Sequence, residues 1–297
     1  MLGYLLKLSR PRFWLYLAGP VLVGVAYGAS GVADLFAPAS VALFAYFLVP
    51  ANVYLYGVND AFDADIDAQN PKKTGEDARE ERFRGGLAVN AVVAVCGLAG
   101  LALAGALATG ALAGASAPAS ANAEPVAWGA GAWVLAFLAL GYAYSGPPFR
   151  LKTAPPLDSV SNGLYVLPGA AAYVALAGEQ PPALALAGGW LWAMAMHTFS
   201  AVPDIEPDRR AGIRTTATLL GERRTLAYCA VCWSLAAGAF GLLDARAGAL
   251  LALYPLFAVG VAETDVDVAR AYWWFPAFNT LVGMALTLGG LWGVVRG

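Results

Sequence analysis

Two clusters of aspartates in this sequence have a spacing that could build a site for a divalent cation. The first cluster consists of Asn59, Asp60, Asp63 and Asp67, and it follows an apolar segment. If the segment is helical, these side chains share one face of the helix. Like charges four residues apart repel each other, so the stripe predicts a neutralising partner. A doubly charged cation held by hard oxygen ligands would provide it.

The second cluster is Asp204 and Asp208, again four residues apart, and it is followed by Arg209, Arg210 and Arg214. Mg²⁺ is usually bound by only one or two carboxylates and completes its coordination with water and phosphate oxygens. Two such clusters facing each other across a helical bundle therefore predict Mg²⁺ ions that bridge the phosphates of an anionic substrate.

A proline-rich stretch between the clusters carries two more cations. It contains Tyr144 and Ser145, then Pro147 and Pro148, and ends in a basic pair. The pair is Arg150 and Lys152. Two interpretations stay open, because these cations could bind phosphate or could anchor a cytoplasmic loop through the positive-inside rule.

The elements that must position these residues are membrane helices. Of the 297 residues, 59% are hydrophobic and only 13% are charged, and the mean hydropathy is +0.61, which excludes an ordinary soluble globule. A spanning helix needs about 20 mostly apolar residues. Nine segments qualify: 13–29, 38–58, 87–108, 125–144, 160–177, 182–202, 225–243, 247–262 and 272–295. We predict an all-α, polytopic membrane helix bundle of nine transmembrane helices that forms one domain over residues 1–297.

The basic residues predict the orientation of this bundle in the cell membrane. All Lys and Arg residues except Arg246 and Arg296 fall on one side of the nine predicted spans. Cytoplasmic loops collect Lys and Arg, so the N-terminus and both aspartate clusters are predicted to be cytoplasmic. The formal net charge is −2, so no global basic field favours nucleic acid as a partner.

The motifs together resemble the UbiA superfamily of intramembrane prenyltransferases. The family pattern NDxxDxxxD is matched by the first cluster and the second DxxxD by the second cluster. The linking stretch YSxPPxRxK is matched by Tyr144, Ser145, Pro147, Pro148, Arg150 and Lys152. The resemblance covers essentially the whole chain, including the early Arg10 and Pro11.

The resemblance implies a helical bundle around a central cavity, open to the lipid bilayer. It implies that Asn59, Asp60, Asp63, Asp67, Asp204 and Asp208 bind Mg²⁺, with Asp63 and Asp204 essential for catalysis. It assigns the diphosphate of an isoprenyl diphosphate donor to Arg150 and Lys152, with Asn59, Tyr144 and Ser145 beside them; Lys72 and Arg209 are added by proximity. Mg²⁺ and cationic side chains would stabilise the departing diphosphate, so that the allylic C–O bond breaks toward a carbocation.

The segments 196–218 and 8–16 look like the lycopene elongase branch of this family, which acts in C50 carotenoid (bacterioruberin-type) synthesis. This branch implies dimethylallyl diphosphate as donor and lycopene as the lipophilic acceptor, with water capture or proton loss ending the reaction. His197, the only histidine, is a candidate base for a captured water, with a structural role in its helix as the alternative.

Two alternatives remain at this point. A prenyltransferase of the same superfamily could act on an aromatic quinone precursor or an archaeal ether lipid. A cation or metabolite transporter would place ionisable residues near the bilayer midplane, whereas these acids crowd the predicted cytoplasmic ends.

Overall fold

The computed structural model describes residues 2–67, 85–112 and 129–296, and these residues contain helices and turns but no β-strand. The helices are α1 (Leu2–Leu8), α2 (Trp14–Gly28), α3 (Pro38–Leu48), α4 (Pro50–Asp67), α5 (Leu87–Ala108), α6 (Ala130–Ser145), α7 (Leu157–Val160), α8 (Leu167–Ala177), α9 (Ala183–Ser200), α10 (Ile205–Arg210), α11 (Thr216–Leu220), α12 (Glu222–Leu243), α13 (Ala245–Leu251), α14 (Leu253–Glu263) and α15 (Val268–Arg296).

The predicted all-α membrane bundle is confirmed, but the number of nine spans is not. Within the described residues, each predicted segment contains helix, and α5 begins and ends at the predicted residues. Six helical stretches there are long and apolar enough to cross a membrane: Pro38–Asp63, Leu87–Ala108, Leu157–Ala177, Glu222–Leu243, Ala245–Glu263 and Val268–Arg296. The remaining predicted spans correspond to α2, α6 and α9.

One predicted span is broken in the middle for a local reason. Segment 38–58 forms two helices, α3 and α4, which are separated at Val49. Pro50 has no N–H to continue the hydrogen-bond ladder of α3, so the last carbonyls of α3 need other donors. The Asn52 amide donates to the carbonyls of Phe47 and Leu48, at 3.0 Å each. The Asn52 side chain therefore supplies donors that the backbone loses at the break.

The chain divides into two compact units. The first unit contains Met1–Phe149, Leu167–Gln180 and Thr287–Gly297. Inside it, apolar side chains of α1 and α5 pack against α4. The buried members of this cluster are Leu8, Val53, Val58, Val89 and Val93. Gly57 allows the close approach of α4 and α5, because a Cβ at this position would overlap the Val93 side chain.

The second unit contains Arg150–Val166 and Pro181–Leu286. Its core is aromatic. In this core, α12 packs against α9 and α14 and also contacts α15. Phe199, Trp233, Tyr254 and Phe275 are at most 2% exposed, and the ring centroids of Trp233 and Phe275 lie 5.7 Å apart. The Tyr254 hydroxyl donates to Asn279 Oδ1 at 2.5 Å, which satisfies two polar groups inside an apolar core.

Candidate active site

The first aspartate motif lies on α4, in the first unit. The helix continues through the motif to Asp67, so the prediction of one helical face for Asn59, Asp60 and Asp63 is confirmed. The side chain of Asp67 and all of Lys72 lie outside the described residues.

Asp60 has a cationic partner from the start of the chain. Arg10 Nη2 lies 3.2 Å from Asp60 Oδ1, and the Asp60 residue is 2% exposed. The Arg10 guanidinium also lies over the Tyr56 ring, 4.5 Å from its centroid. A buried carboxylate is costly unless it is paired and hydrogen-bonded, and Arg10 provides Asp60 with such a partner.

Arg10 occupies a backbone bend that directs its side chain. Its φ is 50°, in the left-handed region, at the junction between α1 and the turn that precedes α2. Behind the bend, the Trp14 indole donates to the Ser9 carbonyl at 3.1 Å, and Ser9 is fully buried. Sequence analysis missed the contact of Arg10 with Asp60, because a basic residue before an apolar segment has the usual interpretation of a membrane flank.

Asn59 and Ser145, which were predicted to lie at one site, contact each other. The Ser145 hydroxyl donates to Asn59 Oδ1 at 2.8 Å, and Ser145 is 1% exposed. Ser145 ends α6, and Tyr144 immediately precedes it. This hydrogen bond fixes the Asn59 amide and joins the motif on α4 to the end of α6.

Arg150 and Lys152 lie in the second unit, on a tight turn. Arg150 has a φ of 42° and opens the 3₁₀ turn Leu151–Thr153, which contains Lys152. The Thr153 amide and hydroxyl both donate to the Arg150 carbonyl, at 3.1 Å each. The short α7 packs against this turn. The two cations are therefore held by ordered backbone.

The second aspartate motif lies at the start of a short helix of its own and does not continue α9, so Asp204 caps α10 and Asp208 follows one turn later. Helix α9 ends at Ser200, Asp204 closes a 3₁₀ turn, and Asp208 lies on the separate helix α10. Pro203 explains the break between α9 and α10, because it cannot donate to the carbonyl four residues earlier, whereas Pro207 lies within the first turn of α10. For the same reason, the distance between His197 and Asp204 does not follow helical spacing.

Arg209 and His197 have identified structural contacts. Arg209 donates to Glu206 Oε1 at 2.9 Å and, through Nη2, to the Thr218 carbonyl at 2.9 Å. It therefore fastens α10 to α11. His197 lies in the last turn of α9, where its carbonyl accepts the Ser200 hydroxyl at 2.6 Å. The roles predicted for both side chains in the reaction stay predictions.

Asp158 is a second residue whose contact the sequence did not indicate. It is 6% exposed, and both of its oxygens accept hydrogen bonds from Thr216. Oδ2 accepts the Thr216 N–H at 2.7 Å and Oδ1 accepts the Thr216 hydroxyl at 2.6 Å. The partners are 58 residues apart, a separation at which periodicity carries no signal.

The donor set fits Mg²⁺ in chemistry. Both motifs offer hard oxygen ligands, which Mg²⁺ prefers. Among the described side chains, no group of three or more His, Cys, Asp or Glu could by itself hold a metal ion.

Comparison with known proteins decides the family. The pattern described as UbiA prenyltransferase family matches residues 17–275. This chain belongs to the UbiA prenyltransferase family. It is thus a multi-pass membrane enzyme of the prenyltransferase class, and the transporter alternative is set aside.

Two UbiA relatives match this chain over its whole length. It is 59% identical to the lycopene elongase/hydratase of Halobacterium salinarum, covering 100% of both chains. It is 61% identical to the lycopene elongase/hydratase of Haloferax volcanii, covering 100% of this chain and 91% of that one. Among solved structures, a UbiA homologue from Archaeoglobus fulgidus bound to DMAPP and Mg²⁺ shares the fold. The TM-score is 0.72 at 20% identity, over 98% of this chain and 99% of that chain.

Proposed function

We propose that this enzyme transfers the dimethylallyl group of dimethylallyl diphosphate to lycopene, with addition of water, in C50 carotenoid (bacterioruberin-type) biosynthesis. The observation that carries the proposal is the end-to-end identity of 59% with a lycopene elongase/hydratase. We further propose that residues 1–297 act as one domain in the cell membrane, with the N-terminus and both motifs cytoplasmic, as the Lys and Arg distribution favours.

The proposed site uses the residues of both motifs. Asn59, Asp60, Asp63 and Asp67 from the first motif and Asp204 and Asp208 from the second would hold Mg²⁺. When bound, Mg²⁺ would neutralise charge that develops on the departing diphosphate. Arg150 and Lys152 would donate to the diphosphate oxygens, with Tyr144, Lys72 and Arg209 as further contacts. The Ser145 hydroxyl keeps the Asn59 oxygen oriented.

The proposed reaction requires no oxidant or reductant. The allylic C–O bond of the donor breaks and diphosphate leaves with the electron pair. The terminal double bond of lycopene then attacks the allylic carbon, which leaves a tertiary cation on the acceptor. Water adds to this cation and loses one proton, for which His197 is the proposed acceptor.

The decisive assay supplies purified protein with Mg²⁺, dimethylallyl diphosphate and lycopene, and offers an aromatic quinone precursor in a parallel reaction. We expect lycopene to gain one C5 unit and one water by mass, and we expect no product after chelation of the metal. Transfer to the aromatic compound alone would contradict the carotenoid proposal and leave the family assignment intact.

His197→Ala separates hydration from transfer. We expect this variant to form the C5 adduct but to shift the products from hydrated toward alkene, because the proton acceptor for water is missing. His197→Gln, which retains a polar group of similar size, serves as the control for packing. An unchanged ratio of hydrated to alkene product in both variants would remove His197 from the mechanism.

A further inference from the structure

The second unit contains two functional segments that are distant in the chain. One is the turn with Arg150 and Lys152, and the other runs from Asp204 through α10. Under the proposed function, both contact the same diphosphate, so their relative position must be fixed. The contacts of α7, α10 and α11 show how the fold can do this.

The first segment is connected to Asp158 by an unbroken series of backbone hydrogen bonds. The Ala154 amide donates to the Leu151 carbonyl at 3.0 Å. The amides of Leu157 and Asp158 then donate to the Ala154 carbonyl, at 2.6 and 3.3 Å. Displacement of α7 would therefore displace the cationic turn.

The second segment is connected to α11 by two contacts and to the loop before α11 by another. Arg209 donates to the Thr218 carbonyl, and the Ile213 amide donates to the Asp208 carbonyl at 2.9 Å. Apolar burial adds the third contact, in a cluster formed by Val202, Ile205 and Ala217. The start of α11 is itself ordered, because Thr215 and Thr218 form a reciprocal capping box.

Asp158 joins these two assemblies. Its carboxylate accepts both the backbone N–H and the hydroxyl of Thr216, the first residue of α11, at 2.7 and 2.6 Å. The contact is buried, since Asp158 and Thr216 are each 6% exposed. Because two hydrogen bonds to two oxygens fix orientation as well as distance, the pair sets the register of α7 on α11.

We propose that Asp158 is a positioning residue that holds the Arg150 and Lys152 turn in register with the second aspartate motif, so that the diphosphate meets both at once. This inference rests on the proposed function. Asp158 itself does not contact the substrate. Its loss should weaken binding of the diphosphate more than it slows turnover at saturation, because the bound substrate can draw the two segments back together.

The test compares Asp158→Asn with a matched cap elsewhere in the same unit. In Asp158→Asn, one carboxylate oxygen becomes an NH₂ group, which cannot accept from Thr216. Asp244 makes the same kind of contact at α13, where Oδ1 accepts the Arg246 amide at 2.7 Å. Asp244→Asn is the control, because it makes the same substitution at an exposed helix cap, on a helix without a motif residue.

Two readouts are measured on each full-length variant with Mg²⁺ present. They are the KM and kcat for dimethylallyl diphosphate, and the Kd of inorganic pyrophosphate by calorimetry. For Asp158→Asn we expect KM and Kd to rise about tenfold, the factor that loss of one charged hydrogen bond corresponds to, with kcat within about twofold. Asp244→Asn should match the parent in both readouts.

Thr216 supplies a milder pair of variants in case Asp158→Asn does not fold. Thr216→Val removes only the hydroxyl half of the contact and should raise KM by a smaller factor, and Thr216→Ser should restore the parental value. Unchanged KM and Kd in Thr216→Val, or equal changes in Asp244→Asn, would overturn the inference. A parent protein that neither transfers the donor nor binds pyrophosphate would instead contradict the proposed function.

Discussion

The two aspartate motifs are supported in different ways. The first is carried by an 18-residue helix, α4, which is held by a buried apolar cluster including Val58 and Val93. The second is carried by a 3₁₀ turn and the six-residue α10, which are held largely by polar contacts of Arg209 and Asp158 around α11. The first support is mainly a packed helix, and the second adds directed hydrogen bonds to a small apolar cluster of Val202, Ile205 and Ala217.

This difference has a physical consequence. Apolar packing is non-directional, so a small loss of volume lowers stability while the helix keeps its course. Hydrogen bonds depend steeply on distance and angle, so a single lost donor can shift a short helix. We therefore expect mutations in the first support to change stability and mutations in the second support to change substrate affinity.

The largest effect on turnover is expected from loss of an aspartate in either motif, and we expect it to be similar for both motifs. Asp63→Ala and Asp204→Ala should each lower turnover by about a hundredfold or more, because charge stabilisation of the leaving group is lost. Both residues are at helix ends and only partly exposed, so membrane insertion should be normal in fractionation. Appreciable activity in either variant would contradict a site that uses two motifs.

The next effect probes the charge pairing of Asp60 in the first motif. Arg10→Ala leaves the buried Asp60 without its ion-pair partner. Loss of one partner of a buried pair is strongly destabilising, but the Arg10 side chain is 22% exposed. We therefore expect a loss of about 2 kcal/mol in the free energy of unfolding and about tenfold in activity.

Denaturant unfolding in detergent micelles measures the stability of Arg10→Ala. Asp60→Asn added to Arg10→Ala should recover part of the stability, because the uncompensated charge is gone. Arg246→Ala removes the same side chain from an exposed position on α13 and should be neutral. If Arg10→Ala and Arg246→Ala change the free energy of unfolding equally, the ion pair does not stabilise the fold.

A smaller effect sharpens the account of the second support. Arg209→Met should raise KM for the donor by about threefold, with a stability loss below about 1 kcal/mol because the Arg209 side chain is 46% exposed. Arg209→Lys distinguishes two roles. Lysine keeps the charge but lacks the fork that contacts both Glu206 and the Thr218 carbonyl, so parental KM in this variant would favour direct diphosphate binding.

The smallest effect on activity is expected in the first support. Val93→Ala removes buried volume against Gly57 and should lower the free energy of unfolding by about 1 to 2 kcal/mol. The KM for the donor and kcat should equal those of the parent in the lycopene assay. A raised KM would show that packing against α4 also sets the position of the first motif, and the contrast between the two supports would fail.

Local features of the chain predicted the helices well. The ends of α5 and the helical continuation through Asn59, Asp60 and Asp63 agree with the expectations from apolar length and spacing. The break between α9 and the second motif was not predicted, and it occurs at Pro203, directly before Asp204. Spacing indicates a shared face only where the backbone can donate its hydrogen bonds without interruption.

The sequence by itself determined that this protein is an all-α membrane protein, because apolar length and the near absence of charge within it act locally on the chain. It also indicated the family, since the motifs are read directly from the chain. The tertiary structure decided which cations and carboxylates meet. Arg10 and Asp60 are 50 residues apart, and Asp158 and Thr216 are 58 residues apart. At such separations only the packing of helices brings side chains together, and no periodicity in the chain records it.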